Sequence, residues 1–379
     1  MSVSVDARPL DIENLRSQGI GRYAHGLLGP LVEHAAERGA ELTLLRQRTS
    51  TPNPFGPVGG KHRYLRRPPL PARVVELAEQ ALLPIDLARL GADVHHSLSL
   101  YRAPLLSRPE LVVSMHDVAP LQWPDLYLRT GLAHRTLYRA VRRAAAVICG
   151  SRAAARDVVR HLELSAARVT VVPDAAGEHF RPEDATEVRG RLGLEGPYLL
   201  YVGALVAHDP RKDVEGLVDA FAEWQRAEGR AETLVLAGAK GPAARELESR
   251  AKRLGARTLF AGFVPETELP ALISGASCMV TASRYEGFGL PALEAIACGT
   301  PVAAYDAGAI PETAGPGALL APVGDASALM RAAGRICDEP ELSERLSAEG
   351  RRHAAGFSWQ RTAKLTWDVY EAVAGGPRP

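Results

Sequence analysis

The chain has 379 residues, 46% of them hydrophobic and 23% charged, with a formal net charge of +1. That length gives one large or two medium domains, and the hydrophobic fraction can build real cores. The near-neutral balance excludes strong general attraction to nucleic acid, although a local basic patch stays open, and no apolar run reaches membrane-spanning length. The N-terminus MSVSVDARPL has no charged region followed by an apolar one, so a soluble, cytoplasmic enzyme is expected, with peripheral membrane contact left open. Cys149, Cys278, Cys298 and Cys337 lie far apart without metal-ligand spacing and read as free thiols of a reducing compartment.

In chain order, short β-rich runs recur between amphipathic or Ala-rich helical stretches. The first half predicts strands at Ser2–Val5, Leu42–Leu45, Asp93–Ser97, Leu111–Met115, Ala146–Cys149 and Val169–Val172. Residues 47–71, rich in Pro and Gly and carrying Lys61, Arg63, Arg66 and Arg67, form an irregular region too long for an ordinary connection. The polar stretch 177–196 reads as the link between halves. The second half predicts strands at Tyr198–Val202, Thr233–Ala237, Leu259–Ala261, Cys278–Thr281, Pro301–Ala304 and Leu319–Ala321. Alternating strands and helices imply parallel sheets covered on both faces, with ligands beyond the carboxyl ends of the strands.

One segment, SRYEGFGLPALEAIACGTPVAAYD (Ser283–Asp306), is the most informative. Glu286 and Glu294 flank a Gly-rich turn in which Gly287 and Gly289 let a ligand approach the backbone. Pro291 suits a first helical turn, Leu290 through Cys298 reads as helix, and Gly299 stops it. The free N–H groups at such a start, aligned with the peptide dipoles, seat an anion. A phosphate seat between two carboxylates suits a nucleotide-sugar diphosphate.

Several further segments complete a pattern: DARPL…SQGIGRYAHGLL, GADVHHS, SMHDVAPLQWP, AAVICGSRAAARDV, VTVVPDAAGEHFRP, YVGAL…PRKDVEGLVDAF, LVLAG, FAGFVPETELPALISGA and FSWQRTA. With the two-glutamate segment they resemble, almost end to end, the retaining GT-B glycosyltransferases of family 4, in particular the mannosyltransferase-like group. The resemblance implies an α/β fold of two Rossmann-like domains facing a central cleft. It places an acceptor-side domain at 1–182, a linker at 183–197 and a nucleotide-sugar domain at 198–357. A last helix, 358–374, packs back on the first domain, with Trp359, Trp367 and Tyr370 as packing residues.

The resemblance also implies roles. Glu286 orients the donor sugar and Glu294 takes the ribose hydroxyls. Arg211 and Lys212, after the YVG strand that ends at Gly203, hold the diphosphate with the backbone of Gly287, Phe288, Gly289 and Leu290. His116 stabilises charge at the anomeric carbon, and Asp117 fixes its turn. Gly19 and Gly21 line a loop near the diphosphate, and the backbone at Phe263 and Val264 reads the base. Each feature alone has a plainer reading: solvated helix charges, a surface cation pair, a structural histidine, tight turns. His95 and His96 stay open between acceptor contact and core packing. One departure stands out: Ala204 occupies a position where many relatives carry Arg.

No Asp-x-Asp motif holds a divalent ion, so no metal or other cofactor is expected. The expected partners are a nucleotide-sugar donor and a hydroxyl acceptor, a glycan, lipid-linked sugar or small molecule. The resemblance implies front-side, metal-independent transfer with retention, GDP-mannose before UDP-hexoses. The alternatives are a nucleotide-sugar epimerase or hydrolase of the same fold, or a silent nucleotide-sugar-binding subunit.

Overall fold

The computed structural model describes residues 1–12, 19–47, 57–65, 72–100, 103–127 and 132–375, and only the backbone of 72–77, 126–127 and 132–136. The chain divides into two compact units, Met1–Ala175 with Ser358–Pro379, and Ala176–Phe357.

The first unit is built on seven parallel strands: β1 (Ser2–Asp6), β2 (Glu41–Gln47), β3 (Lys61–Leu65), β4 (Val94–Ser97), β5 (Glu110–Ser114), β6 (Ala146–Cys149) and β7 (Val169–Val171). Their spatial order is β3-β2-β1-β4-β5-β6-β7, with Val3 level with both Leu42 and Val94. Inner strands β5 and β6 carry short runs of Val, Ile and Leu because both faces are covered, by α1 (Gly19–Glu37), α2 (Ala72–Leu90), α3 (Ala119–Gln122), α4 (Pro124–Tyr127), α5 (Leu132–Arg143) and α6 (Arg152–Leu162). Ser151 caps α6, accepting from the Ala154 N–H at 3.0 Å.

Strand β3 corrects the irregular reading of 47–71. It is an edge strand with Lys61, Arg63 and Tyr64 exposed and only Leu65 buried, so it lacks the apolar pattern that marks inner strands. Charged residues of this kind also keep an open edge from pairing with other chains. Arg66 and Arg67 lie outside the described residues.

The second unit has six parallel strands: β8 (Tyr198–Val202), β9 (Thr233–Ala237), β10 (Thr258–Gly262), β11 (Cys278–Thr281), β12 (Val302–Tyr305) and β13 (Ala318–Ala321), in the order β10-β9-β8-β11-β12-β13. Its helices are α7 (Thr186–Leu192), α8 (Val214–Glu228), α9 (Pro242–Leu254), α10 (Leu269–Ser274), α11 (Leu290–Ala297), α12 (Ile310–Thr313), α13 (Ala326–Asp338) and α14 (Pro340–Ala354). Residues 183–197 are not a free linker. They contain α7, and Val188 and Leu194 are buried in the same core as Tyr198, Leu272 and Ile273. The unit begins at Ala176, so Phe180 and Ala185 also belong to this core.

The last helix, α15 (Trp359–Ala374), belongs to the first unit and lies against α1. Ser358 caps it, Trp367 and Tyr370 are fully buried, and the Trp367 indole N–H donates to the Leu31 carbonyl at 3.0 Å.

In each sheet the strand order reverses once, between β1 and β4 and between β8 and β11. At such a point the connections leave in opposite directions and open a crevice beyond the carboxyl ends, where α/β sheets bind ligands.

Candidate functional site

The switch point of the second sheet gathers most of the residues singled out from the sequence. β8 ends at Val202, and the N–H of the next residue, Gly203, donates to the Ala237 carbonyl at 2.9 Å. The chain then runs out to Arg211 and Lys212, where Asp209 fixes the turn. One Asp209 oxygen accepts from the Arg211 N–H at 3.1 Å and the other pairs with its guanidinium at 3.2 Å. The loop after β11 is tied to this one twice. The Arg284 N–H donates to the Arg211 carbonyl at 2.7 Å, and the Arg284 guanidinium donates to Asp213 at 2.8 and 3.0 Å. Asp213, just before α8, takes the left-handed backbone conformation at φ 46°.

These ties bring Lys212 and Glu286 together. The Lys212 Nζ donates to Glu286 Oε1 at 2.6 Å, with the two side chains 27% and 14% exposed. Burial alone would push the Glu286 carboxyl up. Lys212, Arg211 and a hydrogen bond from Ser283 outweigh it and hold the group below its ordinary value. At rest Glu286 is therefore an ionised carboxylate already matched to a cation.

The Glu286 backbone is held just as firmly. Its carbonyl accepts from the Ala309 N–H at 2.9 Å. Gly308 takes φ 55°, and a Cβ there would fall 2.3 Å from the Glu286 carbonyl oxygen. Position 308 therefore requires glycine both for its conformation and for the close approach. Neither this cradle nor the Arg284–Asp213 clasp was read from the sequence. The turn residues in YDAGAI are the only local signal for the first, and the second joins positions 71 apart.

Past Glu286 the chain enters α11. Gly289 stands at the N-cap with φ 89°, Leu290 opens the helix, and Pro291 follows in the first turn. Phe288 is buried, its ring edge-on to Phe357 and its carbonyl accepting from Thr313 Oγ1 at 2.6 Å. Gly287 completes the turn between Glu286 and Phe288. The helix runs Leu290–Ala297 with Cys298 as C-cap, and Gly299 ends it at φ 82°. Glu294 lies one turn inside and is 1% exposed. Its charge, with that of Glu183, adds to the burial that pushes the Cys298 thiol up to about 12. A small cavity behind Glu286 is lined by Tyr201, Thr281, Ser283, Gly289 and Ile310.

Phe263 and Val264 follow β10, two strands from β8 on the same carboxyl edge and about 10 Å away at ordinary strand spacing. Phe263 is 73% exposed, whereas Val264 is buried in the core.

The remaining candidates sit at the corresponding edge of the first unit. His116 follows β5 by two residues. Its Nε2 lies 3.0 Å from the Leu98 carbonyl oxygen, and a carbonyl can only accept, so Nε2 carries the proton. Burial lowers its pKa, partly offset by that hydrogen bond and by Asp117. Asp117 accepts from the Ala119 N–H at 2.9 Å and so closes the turn into α3. Gly19 is exposed and Gly21 buried, both on α1, four and two residues before Tyr23, whose ring meets His116 edge-on at 4.7 Å.

His95 and His96 prove to be core residues. Both are fully buried on β4. His95 pairs with Ser4 at 3.0 Å, and His96 bridges Tyr370 at 2.6 Å and Ser114 at 2.9 Å. Burial pulls their pKa values down to about 4 and about 3, so both are neutral.

Among the described residues no three His, Cys, Asp or Glu side chains are grouped so as to hold a metal ion. None of the described helices is long and apolar enough to cross a membrane.

Comparison with known proteins identifies the family. Residues 184–353 match the family described as glycosyl transferases group 1, and residues 19–175 match glycosyltransferase family 4. The 2-deoxystreptamine N-acetyl-D-glucosaminyltransferase of Streptomyces fradiae is 34% identical over 306 residues, 76% of this chain and 72% of the relative. The O-antigen chain mannosyltransferase B of Escherichia coli is 26% identical over 320 residues, 82% of each chain. Among solved structures, a sucrose-phosphate synthase from Thermosynechococcus elongatus superposes with a TM-score of 0.80 at 22% identity, covering 98% of this chain and 99% of that one. The chain belongs to the group 1 and family 4 glycosyltransferases, enzymes that pass a sugar from a nucleotide-sugar donor to an acceptor, and it has their GT-B fold of two Rossmann-like domains.

Proposed function

We propose that the protein is a retaining hexosyltransferase. It moves a hexose from a nucleotide diphosphate sugar, GDP-mannose or a UDP-hexose, to a hydroxyl of a glycan, a lipid-linked sugar or a small molecule, without a metal ion. The observation that carries this reading is the Lys212–Glu286 pair at the switch point of the second sheet, beside the start of α11. It offers a cation for the diphosphate and an ionised carboxylate for the sugar hydroxyls within one hydrogen bond of each other.

The roles follow from charge. The leaving diphosphate gains charge as the glycosidic bond breaks. Lys212, Arg211 and the N–H groups at Gly287–Leu290 meet that charge, each charge-assisted bond contributing roughly 1.5–3 kcal/mol. Bonds that strengthen as charge develops lower the barrier selectively. Glu286 holds the sugar, Glu294 the ribose, and the backbone at Phe263 and Val264 the base. His116 faces the positive charge that builds at the anomeric carbon. Attack from the face the phosphate leaves keeps the configuration, and the departing phosphate takes the acceptor's proton. The relatives' names include both mannosyl and N-acetylglucosaminyl transfer. GDP-mannose, UDP-glucose and UDP-N-acetylglucosamine are thus the donors to try.

A thermal-shift and hydrolysis screen over these nucleotide sugars tests the reading, because a bound donor stabilises the folded state by mass action. One donor should raise the melting temperature and turn over. The same donor should give an α-linked product by NMR, in the presence of EDTA. A β-linked product would exclude retention, activity restored only by magnesium or manganese would exclude metal independence, and epimer or free sugar as the sole product would favour an epimerase or hydrolase.

A further inference from the structure

We propose that Tyr23 is a positioning residue for His116, and that a buried hydrogen-bonded chain running to the C-terminal helix holds Tyr23 in place. The inference rests on the reading of His116 as the residue that faces the anomeric carbon. The Tyr23 ring stands edge-on against the His116 imidazole at 4.7 Å and 76°. The Leu98 carbonyl holds the other side of the imidazole through Nε2, at 3.0 Å. These two contacts set both the plane of the ring and its tautomer: Nε2 carries the proton and Nδ1 keeps its lone pair. A tilted ring would move that lone pair, so whatever fixes Tyr23 fixes His116.

Tyr23 is itself clamped from two sides. Its hydroxyl lies 2.9 Å from Ser114 Oγ. The same Oγ lies 2.9 Å from His96 Nε2, and His96 Nδ1 lies 2.6 Å from the Tyr370 hydroxyl. The Trp359 ring packs on the Tyr23 ring, centroids 5.9 Å apart. Tyr23, His96, Ser114 and Tyr370 are all buried, so the links are not shared with bulk water. Trp359 and Tyr370 both belong to α15, which returns to the first unit from the far end of the chain. The charged and titratable groups beside this assembly are Asp117 at His116, His95 and Asp6 at His96, and Asp174 with Cys149 near Tyr23. All four members of the chain are neutral, since His96 stays unprotonated at about 3. The chain therefore transmits position rather than charge. A half-ångström drift of a group facing a transition state costs rate without costing ground-state binding.

The test compares Tyr23→Phe, Tyr370→Phe and His116→Ala. Tyr23→Phe keeps the ring against His116 and removes its tie to Ser114. Tyr370→Phe removes the far anchor and touches neither Tyr23 nor His116. Both should lower kcat, by about tenfold for Tyr23→Phe and less for Tyr370→Phe, with KM for the donor and affinity for the nucleoside diphosphate unchanged. The His116 ring nitrogens, followed by 15N NMR on the unliganded protein, should show the Nε2–H tautomer in the wild type and shifted signals in both variants. Full kcat in both phenylalanine variants, with unmoved ring signals beside an inactive His116→Ala, would overturn the positioning role and leave the reading of His116 standing. Moved signals at full kcat would also overturn it. A fully active His116→Ala would overturn both.

Discussion

The two switch points share one topology and hold opposite chemistry. Beyond β8 and β11, charge faces outward: Lys212 and Glu286 are paired yet partly exposed, and ties from neighbouring loops hold them. Beyond β1, charge is turned inward and satisfied. The Arg8 guanidinium is fully buried, gripped by both oxygens of Asp6 at 2.7 Å and by Glu79 at 2.6 Å. Next to this cluster sit two neutral histidines. A doubly wound sheet supplies a crevice, and the few residues at its carboxyl edge decide whether the crevice meets a diphosphate or stiffens a wall. Ion pairing in the second unit is therefore available to a ligand, whereas in the first unit it is structural.

The contrast breaks hardest at Arg8. Arg8→Ala leaves Asp6 and Glu79 buried as like charges without their cation. The expected loss is about 3–5 kcal/mol of stability. Urea unfolding should show it in the first unit, with nucleoside diphosphate affinity of the folded protein unchanged. A stability loss near zero would mean that the buried pair is not structural.

The mirror experiment is Glu286→Gln. It should cut turnover by about 100-fold, because a misoriented sugar loses the reacting geometry, and it should change stability little. Nucleoside diphosphate affinity should hold or rise, since Lys212 is released from its partner. Turnover equal to wild type would remove Glu286 from the sugar.

Lys212→Ala should weaken nucleoside diphosphate binding by roughly 1.5–3 kcal/mol, read by isothermal titration. It should also weaken how Glu286 responds to pH. In the wild type the Glu286 carboxyl is held below its ordinary 4.5, so its stabilising contribution is present above that value and is lost as pH falls through the folded value. Without Lys212 only Arg211 and Ser283 oppose burial, so the folded value moves up and that stabilising contribution shrinks. Affinity that is unchanged, with the same pH response as wild type, would separate Lys212 from both the phosphate and Glu286.

What could be read in the chain and what could not follows from the same contrast. Inner strands such as Leu111–Val113 or Leu234–Leu236 are covered on both faces, and their unbroken apolar runs announce them. The edge strand Lys61–Leu65 has only Leu65 buried, so it looked like loop. Residues 183–197 looked like a linker because Val188 and Leu194 are isolated apolar positions in a polar stretch, yet both reach the core. The site's outline was legible because Glu286, Gly289 and Pro291 are neighbours in sequence. Its wiring was not: Lys212 and Glu286 are 74 positions apart, and no local pattern announces that they meet. His95 and His96 were open readings for a related reason. A histidine pair at a strand end carries the same letters whether it faces a ligand or Ser4 and Tyr370.

Those histidines make the gentlest separation of the two units, by acid. Folding keeps His95 and His96 neutral down to about 4 and about 3, against an ordinary 6.5. Their contribution is whole above pH 6.5 and is lost as pH falls towards those folded values, because the unfolded chain takes up the protons first. Asp174 works the other way. Burial pushes its carboxyl from 3.8 up to about 7, so on acidification the folded unit protonates it before the unfolded chain does, and stability is gained over that window. That gain offsets part of the loss; His116, also pulled down by burial, adds to the loss, so on balance the first unit loses stability as pH falls below 6.5. The ionised Glu286 of the second unit gives no matching loss until pH falls below 4.5. Hydrogen exchange across pH 7 to 5 should therefore show the strands of the first unit losing protection while those of the second hold theirs. The loss should deepen in Asp174→Asn, which removes the opposing carboxyl. Equal loss in both units, or none in that variant, would mean that the buried histidines do not govern the acid response of the first unit.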